Sequence, residues 1–378
     1  MKFQTTCIHG DGPNDATGAV SPAIYCTSTF SHPHVGESTG FNYTRESNPT
    51  HARLEKVMSA LESGVDSLAF SSGMAAIDAV MRLFVSGDHI LTGFDLYGGS
   101  FRLFRSVYEP YGLTFSAVHT SDLEAVERAI TPKTKAIYLE TPTNPTMEIT
   151  DLRALAELAH KKGLLVIVDN TFLTPYFQRP LELGCDIVLH SGTKYLAGHN
   201  DILAGFVISR EKSIAEKLRS IYKTTGACLS VLDAWLMLRS LRTLPLRMRQ
   251  HEKNAETLAA FLKTQPYVQK VLYPGLPEHP GYEIQKKQAT GFGGMISFYV
   301  DTPERAKKIL EGISLIQFAE SLGGAESLMT YPRTQTHADL TPEEAKEKGI
   351  TDTLLRFSVG LEDVEDLKED LLSVFKNL

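Results

Sequence analysis

Along the 378-residue chain, short apolar runs rich in β-branched residues recur from residue 66 onward: DSLAF (66–70), HILTG (89–93), LTFSAV (113–118), KAIYLE (135–140), LLVIVDN (164–170), CDIVLHS (185–191) and AGFVIS (204–209). Most are separated by stretches with helical spacing of apolar positions, such as AAIDAVMRLFVSG and DLRALAELAHKKG, the latter with Gly163 placed as a C-cap. Strands alternating with helices predict an α/β fold with a mostly parallel sheet covered on both faces, because parallel strands need a crossover long enough to hold a helix. A helix-compatible stretch then runs from about 230 to 264, and Pro245 inside it is expected to end or kink the helix. New strand patterns (MISFYV, LLRFSVG) and amphipathic helices (ERAKKILEGI, LKEDLLSVFKNL) predict a smaller α+β domain after it. The expected organisation is an α/β domain over 51–245 and an α+β domain over 246–378. Residues 1–50, rich in Pro, Gly, Ser, Thr and His and without period, read as an extended arm that packs on another subunit or over a cleft.

Composition narrows the partners. Hydrophobic residues make up 42% of the chain and charged residues 22%, the profile of a soluble globular protein. A net charge of -7, a pI near 6.0 and no clustering of Lys and Arg argue against nucleic acid or an anionic membrane as partner. The opening MKFQTTCIHGDG has no apolar h-region, and no run approaches the ~18 apolar residues of a spanning helix, so a cytoplasmic location is expected. Cys7, Cys26, Cys185 and Cys228 follow neither C-x-x-C nor Cys/His spacing, which predicts no metal site, no disulfide framework and four buried thiols in a reducing compartment.

Ligands of open α/β sheets gather at the carboxyl ends of the strands, so the residues just past each run matter most. Ser71-Ser72-Gly73-Met74 comes after the first run and opens a helix, Tyr97-Gly98-Gly99 after the second, and Thr141-Pro142-Thr143-Asn144-Pro145 after IYLE. LLVIV ends on Asp169-Asn170-Thr171, and DIVLH on Ser191-Gly192-Thr193-Lys194. Ser-Ser-Gly at a helix start either offers N–H groups and hydroxyls to a phosphate, aided by Ser191 and Thr193, or merely caps the helix. Asp169, after the apolar run LLVIV, either pairs with a cation or strong donors or reaches solvent beyond the strand end. Taken singly, Tyr97 is an ordinary aromatic and Lys194 a solvated strand-end lysine. Taken together, one ligand uses all four features: pyridoxal 5'-phosphate, whose aldehyde takes a lysine, whose pyridine nitrogen takes a carboxylate, whose ring stacks on an aromatic and whose phosphate fits the cradle. A lowered amine pKa would help Lys194 act both as nucleophile and as proton carrier.

The segments YTRESNPT (43–50), SSGMAA (71–76), DLYGGSFRLF (95–104), LETPTNP (139–145), VDNTF (168–172), HSGTKYLAGH (190–199) and FAESLGG (318–324) resemble, in order and over nearly the whole chain, the motifs of the Cys/Met-metabolism (transsulfuration) family of fold-type I pyridoxal-phosphate enzymes. The resemblance implies a mostly parallel seven-stranded sheet between helices with a smaller C-terminal α+β domain. It implies Lys194 as the lysine that bonds the cofactor aldehyde, Asp169 as partner of the pyridine nitrogen with Thr171 beside it, and Tyr97 stacked on the ring and assisting proton transfer. Gly73 and Met74, through their backbone, and Ser191 and Thr193, through their hydroxyls, correspond to the phosphate site. Tyr43 and Arg45 match residues that reach the phosphate of a neighbouring subunit's cofactor, which implies a dimer with shared sites, usually doubled to a tetramer. Arg356 matches the arginine that grips the substrate α-carboxylate, helped by Asn144 and the backbone around Ser321 and Leu322. Without the motif it would read as an exposed strand-end charge. Arg102 matches a residue that meets the distal carboxylate of longer substrates.

Within the family, Gly99 stands where methionine γ-lyases carry a cysteine, and Glu320 resembles the pattern of γ-synthases and γ-lyases. Asn42 replaces the Asp or Glu common in those enzymes, so the charge-assisted grip on a distal ammonium is lost and smaller thiols or sulfide become plausible. The implied reaction is γ-replacement or γ-elimination on homoserine-derived sulfur amino acids, of the cystathionine γ-synthase or γ-lyase type. O-acetylhomoserine sulfhydrylase, cystathionine β-lyase and methionine γ-lyase activities are the alternatives, while intact Lys194, Tyr97, Asp169 and Arg356 argue against a protein that only binds the cofactor. His32, His34 and His337 flank motif segments and read as surface or hydrogen-bonded structural histidines. Cys26 reads as structural and Trp235 as core.

Overall fold

Each of the seven apolar runs folds as a strand within two residues of its expected bounds: β1 Asp66–Phe70, β2 His89–Gly93, β3 Thr114–Val118, β4 Thr134–Glu140, β5 Leu165–Asp169, β6 Ile187–Ser191 and β7 Gly205–Ser209. The structure, a computed structural model, describes residues 1–12 and 17–378. Among these the seven strands form one sheet in the order β1-β7-β6-β5-β4-β2-β3. The steps from β6 through β5, β4 and β2 to β3 are parallel, and β7 alone runs antiparallel to its neighbours β1 and β6. The carboxyl ends of the other six strands therefore share one edge. Central strands buried on both faces must be apolar at successive positions, not alternate ones. Ile137 to Leu139 on β4 and Val166 to Val168 on β5 are accordingly all fully buried.

A second sheet, in the order β10-β11-β12-β9-β8, is built from β8 Val268–Leu272, β9 Met295–Val300, β10 Gln317–Phe318, β11 Leu328–Thr330 and β12 Leu354–Ser358. Helices Pro303–Gly312 and Val364–Phe375 pack on it around Ile296, Phe298, Phe357, Leu367 and Leu371. The stretch around Pro245 forms two helices, Val231–Leu241 and Leu244–Lys263. Pro245 opens the second one instead of ending the first. In a first turn its missing N–H has no intrahelical acceptor to lose, and its fixed φ suits the helix. Leu244 and Met248 at the start of this helix join the core under the first sheet, whereas Leu258 and Leu262 near its end join the core of the second.

Three expectations are corrected. The N-terminal arm is not extended throughout: Phe3–His9 is helical and buries Cys7 in the core beside the helix Pro49–Glu62, although residues 17–47 are irregular and mostly exposed. Cys7 and Cys185 are buried, but Cys26 lies exposed on that arm and Cys228 is half-buried; all four are free thiols. Trp235 is half-buried at the surface, where its indole N–H donates to the Pro22 carbonyl at 3.0 Å, so it anchors the arm and does not fill the core. No helix among the described residues is long and apolar enough to cross a membrane.

Candidate active site

The strand ends β1, β4, β5 and β6 and the turn after β2 open onto a cavity of about 210 Å³, closed on its far side by residues 320–322 and Arg356 of the second sheet. Gly73, Met74, Tyr97, Asn144, Asp169, Thr171, Ser191, Thr193, Lys194, Glu320, Ser321, Leu322 and Arg356 all line it. A larger groove of about 710 Å³ runs along β8 near Glu148 and His279 and contains none of these groups.

The helix Gly73–Met81 starts at this cavity. Ser72, extended at φ -165, caps it by accepting the Ala75 N–H at 3.1 Å. The cap leaves room for an anion: Ser72 serves Ala75, and the earlier N–H groups of Gly73 and Met74 lack intrahelical acceptors and suit a phosphate. The first turn is pressed against β7, where a Cβ on Gly205 would overlap the Ser72 carbonyl. Thr193 Oγ1 is engaged behind the cavity, accepting the Ala204 N–H at 3.0 Å, and Ser191 is held by its N–H to Thr171 Oγ1 at 2.8 Å.

Asp169 ends β5 in register with Glu140 of β4, so two carboxyl groups meet at one edge of the sheet. Asp169 Oδ1 accepts from Thr171 N at 3.0 Å and Thr171 Oγ1 at 2.5 Å. Desolvation raises its pKa, and these bonds and the nearby His190 work in the opposite direction. Glu140, which accepts the Tyr97 N–H at 2.8 Å, is pushed well above the carboxylate range by burial and then by the charge of Asp169. With two donors on Asp169 against one on Glu140, the shared electrostatics keep the proton on Glu140 and the charge on Asp169. Behind them His190 and Glu62 form a fully buried pair at 2.6 Å. Glu140 carries no distinguishing mark in the sequence beyond its place at the end of an apolar run.

Lys194 donates to Ser321 Oγ at 2.7 Å. Desolvation, followed by the positive field of Arg356, lowers its pKa to about 8 against the opposing pull of Glu320. Ser321 adopts φ +94, a strained conformation for a residue with a side chain, and its carbonyl accepts from Arg356 Nη2 at 3.0 Å. Arg356 is no exposed strand-end charge: it lies within β12, is 2% exposed, and also donates to Asn144 Oδ1 at 3.0 Å and Thr330 Oγ1 at 3.1 Å. Those acceptors are neutral, Nε has none, and burial lowers the guanidinium pKa to about 10. A buried cation satisfied by dipoles alone is built to receive an anion.

Tyr97 lies across Gly99, where a Cβ would overlap its ring and crowd Met74 Sδ. Four candidate residues do not line this cavity. Tyr43 is 44% exposed, and Arg45, 5.4 Å from the Tyr43 ring, donates to the Lys223 carbonyl. Asn42 Oδ1 accepts from Ser38 Oγ at 2.9 Å, and Arg102 pairs with Asp339 at 2.7 Å on the exposed rim. His32 is exposed, whereas His337 is buried with its ring in hydrogen-bonding range of Thr336 and Leu96.

These groups fit pyridoxal 5'-phosphate. The buried amine of Lys194 has a lowered proton affinity, the Asp169 carboxylate faces the cavity with both Thr171 bonds on one oxygen, and the helix Gly73–Met81 presents its unpaired first-turn N–H groups. Comparison with known proteins agrees. The family described as Cys/Met metabolism PLP-dependent enzyme matches residues 4–376. The chain is 50% identical over 379 residues to cystathionine gamma-lyase of Bacillus subtilis (strain 168), covering 100% of each. It is 48% identical over 362 residues to the cystathionine gamma-synthase/O-acetylhomoserine (thiol)-lyase of the same organism, covering 96% of this chain and 93% of that protein. Among solved structures, cystathionine gamma-lyase from Lactobacillus plantarum complexed with L-serine superposes with a TM-score of 0.97 at 46% identity, over 100% of this chain and 99% of that one. A match of motif order, site chemistry, whole-chain sequence and fold leaves one assignment: the chain belongs to the Cys/Met metabolism family of pyridoxal-phosphate-dependent enzymes.

Proposed function

We propose that this protein catalyses γ-elimination or γ-replacement on homoserine-derived sulfur amino acids in the cytoplasm, as a cystathionine γ-lyase or γ-synthase assembled from dimers. The observation that carries an amino-acid substrate is the placement of Arg356 and Lys194 on either side of Ser321: a buried guanidinium for the α-carboxylate and an amine of lowered pKa beside it. Support for γ chemistry comes from Glu320 in the cavity wall and from the two Bacillus subtilis relatives, a cystathionine gamma-lyase and a cystathionine gamma-synthase/O-acetylhomoserine (thiol)-lyase.

The bound cofactor supplies an electron sink that stabilises negative charge at the substrate carbons next to the amino group. Asp169, ionised, would hold its pyridine nitrogen protonated, and the Gly73 and Met74 N–H groups with Ser191 and Thr193 would take its phosphate. Tyr97 would cover the ring. Arg356 and Asn144 bind the substrate α-carboxylate and turn the Cα–H toward Lys194 Nζ, which takes that proton. Ser321 Oγ holds Nζ near this path, and Leu322 and Phe172 in the cavity wall exclude water from it. Lys194 hands that proton back and takes a second one from Cβ; the electron pair left on Cβ forms the bond to Cγ as the γ-substituent leaves, and the Tyr97 hydroxyl gives the leaving group its proton. Glu320 would face the distal end of the substrate, and Arg102 would meet the distal carboxylate of longer substrates; Asn42, next to Tyr43 on the arm, would face the substrate of the partner subunit. Tyr43 and Arg45 would complete the phosphate site of the partner subunit.

Product identification tests the reading. Cystathionine should yield 2-oxobutanoate and ammonia if elimination dominates, and O-acetylhomoserine with cysteine should yield cystathionine if replacement does. Pyruvate as the main product from cystathionine would overturn γ chemistry in favour of β-elimination. Retention of visible cofactor absorbance by Lys194→Ala would overturn the assignment of Lys194.

A further inference from the structure

The helix that begins just after Tyr97 and the segment 336–348 of the second domain are tied together at several points above the cavity. Arg102 pairs with Asp339 at 2.7 Å, Arg105 pairs with Glu344 at 2.6 Å, and Lys348 Nζ reaches the Phe94 carbonyl. These ties are wholly or partly solvent-exposed, and exposed ion pairs contribute little individually. The buried tie is His337. Its ring is fully covered; Nε2 lies 3.3 Å from the Leu96 carbonyl, and Nδ1 lies 2.9 Å from Thr336 Oγ1. A hydroxyl donating to Nδ1 leaves the ring proton on Nε2, aimed at the residue just before Tyr97. The Asn144 carbonyl also faces the ring, and burial with the charges of Arg356 and Lys348 keeps it neutral, its pKa lowered to about 4. Packing leaves the turn no slack: a Cβ on Gly98 would overlap the Thr336 carbonyl.

We propose that His337 is a positioning residue that holds the Leu96-Tyr97-Gly98 turn against the Asn144 loop and thereby sets the Tyr97 ring over the cavity. The inference rests on the reading that Tyr97 covers the cofactor, and it adds a second-domain residue to the control of that ring. The domain supplying the carboxylate clamp Arg356 then also places the aromatic lid, so both surfaces that grip the reacting molecule answer to one body. Asp95 Oδ1, 3.9 Å from Nε2, is the competing acceptor; the other oxygen, Oδ2, is occupied by Thr146 at 2.7 Å, and the closer Leu96 carbonyl keeps the donor.

The test compares holoenzyme carrying His337→Leu, His337→Asn and His337→Gln with wild type and Tyr97→Phe, reading kcat and KM on cystathionine, thermal midpoint, and the visible circular dichroism of the bound cofactor. A Gln amide reaches the position of Nε2 and can donate to Leu96; Leu cannot donate and Asn is too short. Leu and Asn are expected to lower kcat by about 10-fold or more, to change KM by less than about 3-fold, and to alter the dichroism, with Gln returning both kcat and dichroism to near wild type. The proposal is overturned if Gln matches Leu and Asn, whether all three resemble wild type or all three are equally impaired. If the Leu chain does not fold, the Asn–Gln comparison decides alone. Should even wild type turn over no sulfur amino acid, the functional reading fails by itself, and the dichroism of the variants still decides whether His337 sets the ring.

Discussion

Lys194 shows how three neighbours set the chemistry of one atom: Ser321 accepts its hydrogen bond, Arg356 raises the local potential, and the cavity wall removes water. In the proposed role Lys194 would bond the cofactor aldehyde as the neutral amine, and with a pKa of about 8 in the folded chain the neutral form prevails only above that pH. Capture of pyridoxal phosphate by the apoprotein should therefore speed up about tenfold per pH unit below 8 and level off above it, whereas an ordinary lysine would keep gaining to about 10.4. Stopped-flow absorbance across pH 6 to 10 measures this, and a rate still climbing at the alkaline end would contradict it. Arg356→Leu should reduce kcat/KM on amino-acid substrates by about 10² to 10³-fold, the loss typical of one partner of a buried charge contact, and should spare cofactor affinity. The sequence marked Lys194, Asp169, Tyr97 and Asn144, because chemistry-bearing side chains stand out when they come directly after apolar strands. It left Glu140 unmarked, since a carboxyl group past a strand end looks the same whether it meets water or, as here, another carboxylate.

At the scale of elements, the central parallel strands were legible to within two residues because continuous burial on both faces demands unbroken apolar runs; β3, at the sheet edge, is mostly exposed. The proposed phosphate site is a contact between elements, the start of the helix Gly73–Met81 against β7, and that contact is tight at Gly205. Gly205→Ala should push the helix start off its seat and weaken cofactor affinity by about 10-fold or more, read as a dissociation constant by titration of apoprotein. Sequence alone offers only an Ala-Gly at the head of AGFVIS, with nothing to say which backbone it meets. The helix Leu244–Lys263 feeds both cores, and Leu258, fully buried, sits in the second. Leu258→Ala should cost about 2–5 kcal/mol in denaturant unfolding, and a loss under about 1 kcal/mol would show that the site collapses around the missing atoms. The helix Phe3–His9 was missed because seven residues hold too few turns for a period to emerge, and short helices owe their stability to packing, here through Cys7.

For the whole molecule, the exposed arm matters most. Val20, Val35 and Tyr43 are exposed on it, and Tyr43 and Arg45 stand outside the cavity of their own chain. If they complete a partner's site, mixing inactive Lys194→Ala with inactive Arg45→Ala and allowing subunits to exchange should restore activity. Random pairing makes half the dimers mixed, each with one intact site of two, so recovery should approach about a quarter of wild type. No recovery after verified exchange would place Arg45 in its own subunit's site or outside catalysis.

By itself the sequence determined most of the strand and helix pattern, the family and the cofactor, and it named candidate residues for the site, since each is carried by side-chain periodicity or by motifs local in the chain. The tertiary structure decided what depends on residues far apart: the burial that shifts Lys194 and Arg356, the meeting of Glu140 with Asp169 in register across two strands, the seating of Gly205 under the helix start, and the reach of His337 from the second domain to the turn of Tyr97. Desolvation and close approach are properties of neighbours in space, and the order of residues along the chain does not record them.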